Sequence, residues 1–328
     1  MKLPRRQFLH LAAGAAVLPA VSRIAMAQAY PTRPIRLVLP FAPGGVFDLL
    51  GRPWADRMKT PLGTVIVENL PGASGSLAAA SVARASPDGY TILLGSSSIH
   101  LIELLLKNRP LYHPNKDLEP ISMLAISASA IAVHPLVPAQ NLKQLIDYAK
   151  ANPGMLSYGT AGAGGVNHLT GELLKSMTRA DLTHVPYRGA GPAMSDAISG
   201  QIPIVIPTMT GQVLAFHRSG KLRVLAITSP ARIIAAPEIP TAVEAGFPGM
   251  IAQQVIGLFA PTGTPKAIIE QIAQATHKAM ADKVYLRMFI EAAVEPQFDW
   301  TAERFRRFLD EDIDRWRPVV QAIGVKLD

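Results

Sequence analysis

The chain has 328 residues, 49% hydrophobic and 17% charged, a balance that fits one or two globular domains and excludes a disordered chain. Its formal net charge of +8 overstates the basicity, because Lys2, Arg5, Arg6 and Arg23 fall in an acid-free stretch of 27 residues and leave +4 for the rest. No Lys/Arg-rich block with interleaved aromatics follows, which argues against nucleic-acid binding, and the absence of cysteine excludes disulfides and thiol chemistry.

Residues 1–27 read as a signal peptide. Lys2, Arg5 and Arg6 open it, "FLHLAAGAAVLPAV" is a short apolar core, and "AMA" at 25–27 is a small-x-small cleavage signal. Arg5-Arg6-Gln7-Phe8-Leu9 resembles a twin-arginine export motif, with a general secretory signal as the alternative. Cleavage near Ala27 starts the mature chain near Gln28, outside the cytoplasm. No later apolar run reaches membrane-spanning length without a Pro or a charge.

"IRLVLPF" (35–41) is an apolar strand ended by Pro43-Gly44-Gly45. A helix follows, with Leu49, Leu50, Trp54 and Met58 as its buried stripe; Pro53 inside it predicts a kink or a late start. Strand "TVIVEN" (64–69) leads through the loop "LPGASGS" into an Ala-rich helix at 77–85, and strand "YTILLGSSS" (90–98) follows. Strand–helix alternation at this spacing predicts parallel α/β units. "PISMLAISASAIAVHP" (120–135) is too long for one short strand and reads as an extended segment crossing between two sheets. The alternation then restarts: helix 141–151, strand 156–162, helix 166–178, strand 182–189, helix 191–199, strand 202–209, helix 211–218 and strand 222–228. A second crossing stretch, "MIAQQVIGLFAP" (250–261), precedes helices near 265–281, 283–292 and 301–323. Two α/β sets joined by two long strands have the organisation of a hinge-closing receptor. Lobe 1 is discontinuous, 28–126 with 254–328, and lobe 2 spans 127–253.

In open α/β sheets, ligands sit beyond the carboxyl ends of the strands. Four loops there are rich in Gly, Ser or Thr: 43–48, 95–98, 159–168 and 207–211. "GTAGAGGVNHLTGE" (159–172) runs straight into a helix whose free N–H groups and dipole suit a small anion, a carboxylate above all. A tight strand-to-helix turn without a ligand is the alternative, since glycine serves both. Gly162-x-Gly164 begins a G-x-G-x-x-G, yet Asn167 occupies the third glycine position, and no Lys-Ser/Thr follows for a phosphate loop. Asp48, near a helix start, caps backbone N–H groups or meets a ligand. "GSSSIH" is not a nucleophile elbow, and the histidines show no metal-ligand spacing; His168, at a helix start, is the one that stands out. The "DEDID" run (310–314) fits a solvated helix face.

"YPTRPIRLVLPFAPGG", "VENLPGASGS", "SPDGYTILLGSSS", "HLTGELL", "HVPYRG", "FPGMIAQQVIGLFAPTGTP" and "GVKLD" together resemble, in order from Tyr30 to the C-terminus, the Bug-type, TctC-like extracytoplasmic solute receptors of tripartite tricarboxylate transporters. The resemblance implies an α/β, two-lobed type II periplasmic-binding-protein fold with two crossing strands and a hinge. It implies a periplasmic monomer that clamps a small organic carboxylate and presents it to membrane permease subunits, with no reaction, cofactor or metal. Carried over, the ligand-binding residues are Pro43, Gly44, Gly45, Phe47 and Asp48; Ser96, Ser97 and Ser98; and Thr160, Ala161, Gly162, Gly165, Val166, Asn167 and His168, with Thr208 and Met209 at a further strand end. Three departures from the family pattern matter: Phe47 replaces the Thr of G-G-x-T-D, Ala163, Gly165 and Val166 replace serines, and Pro207-Thr208-Met209-Thr210 replaces Phe-Asp-Asn. They suggest a pocket walled by Phe47, Val166 and Met209, suited to an aromatic or aliphatic monoacid better than to citrate. A sensory receptor for a signalling partner, or an exported enzyme on the same scaffold, stays open as an alternative.

Overall fold

The computed structural model describes residues 30–298, 300–324, 326 and 327; the signal-peptide, cleavage and twin-arginine readings lie outside them. The first part of the chain runs β1 (Ile35–Leu39), α1 (Val46–Arg57), β2 (Val65–Asn69), α2 (Ser76–Ala83), β3 (Thr91–Ser96), α3 (Ser97–Leu101) and β4 (Leu118–Ala128). The middle runs β5 (Ala130–Val133), α4 (Leu142–Ala151), β6 (Leu156–Thr160), α5 (Val166–Thr178), β7 (Leu182–Pro186), α6 (Ala190–Ile198), β8 (Ile204–Val205), α7 (Gly211–Arg218) and β9 (Arg223–Ile227). The chain closes with β10 (Gln253–Pro261), α8 (Lys266–Met280), α9 (Lys283–Glu291), β11 (Glu295–Pro296) and α10 (Ala302–Ile323).

Two sheets result, a six-stranded one in the order β11-β4-β10-β3-β1-β2 and a five-stranded one in the order β7-β6-β8-β5-β9. β1 is apolar and buried at nearly every position, as a strand inside a parallel sheet must be, and it pairs in parallel with β2 and β3. β10 then inserts antiparallel between β3 and β4, so late chain completes the first sheet. The two extended stretches are the crossings. β4 lies in the first sheet and β5, one residue on, in the second. Ser129, between them, donates its N–H to the Thr228 hydroxyl at 3.0 Å, and that hydroxyl donates to the Ala252 carbonyl at 2.6 Å. Thr228 N–H also meets the Ser129 carbonyl at 3.0 Å, so the crossing segments are tied together at one buried threonine.

Each sheet carries its own apolar clusters. One in the first packs Val38, Leu93, Phe259 and Phe305, and the second has Ile131, Leu145 and Leu174 in one cluster and Val205, Met194 and Val224 in another. α8 and α9 dock on α1 through Trp54 Nε1 to Thr276 Oγ1 at 3.1 Å and Tyr285 OH to the Leu50 carbonyl at 3.0 Å.

Three expectations are corrected. The stretch 202–209 is continuous strand only at Ile204–Val205, with Thr208 in an isolated bridge to Ser129, because Pro203 and Pro207 bring no N–H to the ladder. Strand 90–98 ends at Ser96; Ser97 and Ser98 already belong to α3. Leu50 and Trp54 of α1 and Met58 just after it are buried but Leu49 is 49% exposed, and the helix starts early, at Val46, with Pro53 inside it. The carbonyl that Pro53 cannot bond is that of exposed Leu49, where water can satisfy it.

Candidate ligand-binding cleft

The helix starts at the four loops are not alike: Thr210 caps α7 by accepting the Val213 N–H, whereas the other three lack a side-chain cap. Asn141, Asp282 and Thr301 cap α4, α9 and α10 with their own side chains. α1, α3 and α5 begin at Gly45, Ser96 and Gly165 with no side-chain cap, which leaves their first N–H groups for other acceptors.

On the first sheet, Pro43, Gly44 and Gly45 form an exposed turn, with Gly44 at φ +93°, a conformation open to glycine. Asp48 fixes that turn. Its carboxylate accepts the Gly44 N–H at 2.7 Å and Arg52 Nε at 2.7 Å, with Asn69 Nδ2 alongside at 3.3 Å. Phe47 is buried, its ring 4.9 Å from that of Phe41. Ser97 Oγ accepts the Val255 N–H at 3.2 Å, while the buried Ser96 Oγ has no hydrogen-bond partner.

On the second sheet, Thr160, Ala161 and Gly162 lead from β6, and Gly165, Val166, Asn167 and His168 open α5. Thr160 Oγ1 donates to the Gly162 carbonyl at 2.9 Å and sits 2.7 Å from His184 Nε2. His168 Nδ1 accepts the Gly164 N–H at 3.0 Å, and its ring stacks on His184 at 3.9 Å. Burial holds both imidazoles below their ordinary value, His184 at about 4, where His168 adds to the effect. The Tyr158 hydroxyl donates to Glu172 at 2.7 Å; burial first, and then that carboxylate, push its pKa up.

Residues of the Gly/Ser loops meet across the sheets at several points. Ser98 Oγ accepts the Val166 N–H at 3.4 Å, at the start of α5. Ser74 Oγ donates to the Ala163 carbonyl at 3.2 Å. Asn167 bonds Ser129 Oγ at 3.2 Å and Thr208 Oγ1 at 3.3 Å, and Thr208 reaches Gln254 at 3.4 Å. The hydrogen bonds of Asp48 stay on the first sheet. Val166 is buried in a cluster with Leu101, Ile102 and Trp316, and Met209 in one with Ala128 and Val213. Ser74 and Ser76 were not singled out from the sequence, although "LPGASGS" has the Gly/Ser character of the other loops; the Ser76 hydroxyl is buried without a partner. Cavities of about 270 Å³ beside Arg52 and Lys59 and about 350 Å³ beside His113 and Asp310 lie away from these loops. Among the described residues no cluster of three or more His, Asp or Glu is placed to hold a metal, and no helix is long and apolar enough to cross a membrane. The site offers backbone N–H groups, hydroxyls and amides on both sides, a donor set for an anion.

Two α/β sheets joined by crossing strands, with a helix start on one met by a serine of the other, are the two-lobed fold of a periplasmic solute-binding protein. The chain belongs to the family described as "Tripartite tricarboxylate transporter family receptor", which matches residues 50–325. BugT of Bordetella pertussis is 35% identical over 92% of this chain and 92% of its own length. Among solved structures, periplasmic binding protein BugD is 31% identical with a TM-score of 0.83, over 90% of this chain and 99% of that one. Rpa4515 of R. palustris, solved with adipate, is 30% identical with a TM-score of 0.85, over 90% and 99%. MatC of Rhodopseudomonas palustris, with bound malate, is 30% identical with a TM-score of 0.82, over 89% and 100%. The family and these neighbours are binding proteins, not enzymes.

Proposed function

We propose that the protein is exported, cleaved near Ala27, and as a monomer captures a small organic carboxylate between lobes 28–126 with 254–328 and 127–253, for handover to a tripartite tricarboxylate permease. The observation that carries the reading is the start of α5, where the Val166 N–H lacks a cap from its own helix and meets Ser98 of the other lobe. A carboxylate there exchanges a weak 3.4 Å contact for charge-assisted bonds, roughly twice as strong as neutral ones. Binding energy that favours the closed arrangement drives hinge closure. The adipate and malate held by two neighbours support a carboxylate as the ligand class.

Loops 43–48, 96–98, 160–168 and 208–209 are the proposed contacts, with Phe47, Val166 and Met209 the apolar positions that favour a monoacid with an aromatic or aliphatic body. The test is thermal stabilisation of the chain from Gln28 by aromatic and aliphatic monoacids, adipate, malate and citrate. A ligand at 100 times its dissociation constant adds roughly 2.7 kcal/mol. Monoacids are expected to shift the melting point most and citrate least. If only di- or tricarboxylates act, the apolar-pocket reading fails, and if no carboxylate acts, the receptor reading fails with it.

A further inference from the structure

His168, one of the proposed ligand contacts, also holds its own loop. Its Nδ1 accepts the Gly164 N–H at 3.0 Å, so the ring's proton sits on Nε2, facing Glu172 at 3.9 Å. That carboxylate already accepts from Tyr158 at 2.7 Å and Lys175 at 2.9 Å. His184 stacks beneath at 3.9 Å and 18° and holds the other end of the loop. With the Thr160 hydroxyl hydrogen given to the Gly162 carbonyl, we assign His184 Nε2 as the donor to Thr160. Two stacked imidazoles therefore hold Thr160–Gly164 from below, one by donating and one by accepting. Only the acceptor is lost on protonation.

We propose that His168 is a positioning residue, an acid-released latch whose neutral ring fixes the Thr160–His168 loop and whose protonation frees Gly164 and weakens carboxylate capture. The link to capture rests on the proposed function; the latch does not. The groups facing the ring are Glu172 and Lys175 on its own helix, Tyr158 on β6 and His184 on β7. Burial lowers the affinity of His168 for a proton, with Lys175 adding and Glu172 opposing, so release falls on the acid side of 6.5.

The test is hydrogen–deuterium exchange at the Gly164 amide in the chain from Gln28 without ligand, at pH 7 and pH 4.5, corrected for intrinsic exchange. Protection in the natural chain is expected to drop about tenfold at pH 4.5, the factor that one net hydrogen bond carries. His168→Asn, which keeps an acceptor oxygen that does not titrate in this range, should hold its protection at both pH values, and His168→Leu should lack it at both. The same pH response in the natural chain and His168→Asn overturns the latch. Adipate affinity, measured alongside, should fall with pH in the natural chain more steeply than in His168→Asn. Released protection with parallel affinity profiles overturns the coupling to capture. If neither adipate nor the aromatic and aliphatic monoacids bind at any pH, that counts against the proposed function, while the exchange comparison still decides the latch.

Discussion

The Ser98 hydroxyl of the first sheet accepts the N–H of Val166, the first residue of α5 on the second, at 3.4 Å. The bond is long, and its neighbour Ser97 is spent on Val255, so Ser98 is the hydroxyl placed to follow a ligand at that helix start. Ser98→Ala should therefore cost less than about 1 kcal/mol of stability, because the bond it removes is stretched. Carboxylate affinity should drop about tenfold, since a hydrogen bond to a charged group is worth roughly 1.5–3 kcal/mol. Calorimetric titration beside urea unfolding separates the two. A large stability loss with unchanged affinity would make Ser98 a structural residue only.

Asp48 illustrates the opposite division. Its carboxylate, 7% exposed, receives the Gly44 N–H and Arg52 and lies near the α1 N-terminus, where negative charge is favoured. Asp48→Ala removes both bonds and leaves the Pro43–Gly45 turn without its tie. Urea unfolding should show a loss of about 2 kcal/mol. Affinity should weaken as well, through a looser turn. Affinity loss with no change in unfolding midpoint would instead place Asp48 on the ligand.

What was legible in the sequence follows from how local each cause is. α10 could be read because Phe305, Leu309, Trp316 and Val320 recur at helical spacing and are all buried. β1 could be read because Ile35, Leu37, Val38 and Leu39 make the apolar run that a buried parallel strand needs, with Arg36 turned to Glu68. The stretch 202–209 misled because apolar content predicts burial, whereas pairing needs the N–H groups that Pro203 and Pro207 lack. Two of the Gly/Ser loops, 95–98 and 159–168, meet across the sheets through Ser98 and Val166, since their composition permits close backbone approach. Ser74 was missed because its partner, Ala163, lies 89 residues away and its own backbone is at φ +52°, a geometry no serine announces. Whether Val166 or Met209 faces a ligand or a core depends on packing between distant elements, which spacing within one helix or strand does not encode.

The pH dependence of stability has a definite sign. His100 is fully buried, neither ring nitrogen has a hydrogen-bond partner, and burial, helped by the nearby Arg306 charge, lowers its pKa to about 3. His184 is lowered to about 4. A histidine depressed in the folded state is protonated first in the unfolded chain. The stability it preserves is complete above about 6.5 and is lost as pH falls toward the folded value. Unfolding free energy should thus decline from pH 6.5 to pH 4.5, by about 1.4 kcal/mol per pH unit from His100 alone. His184, partly exposed, contributes less. His100→Phe removes a titrating group from a site already packed on Phe259 at 5.2 Å, and should flatten the slope. Urea titrations across this range check it; an unchanged slope in the variant would assign the acid loss to other groups.

Gly164 joins backbone strain to a contact with the far end of the chain. Its φ is +85°, and a Cβ placed on it would lie 2.5 Å from Leu327 Cδ1. Leu327 in turn donates its N–H to the Leu106 carbonyl at 2.9 Å, so Leu327 is fastened beside the loop that opens α5. Gly164→Ala meets two costs, about 1–2 kcal/mol for a left-handed non-glycine residue and a collision with the tip of the Leu327 side chain, with Leu106 Cδ1 at 3.2 Å beside it. Leu327→Ala on the same background removes the collision and leaves the strain. The double variant should therefore recover part, but not all, of the lost melting temperature, and carboxylate affinity should recover further than stability, since the collision is what displaces the loop. Full recovery of both would mean that strain at Gly164 contributes nothing. No recovery would mean that the loop yields to the new methyl group without touching Leu327.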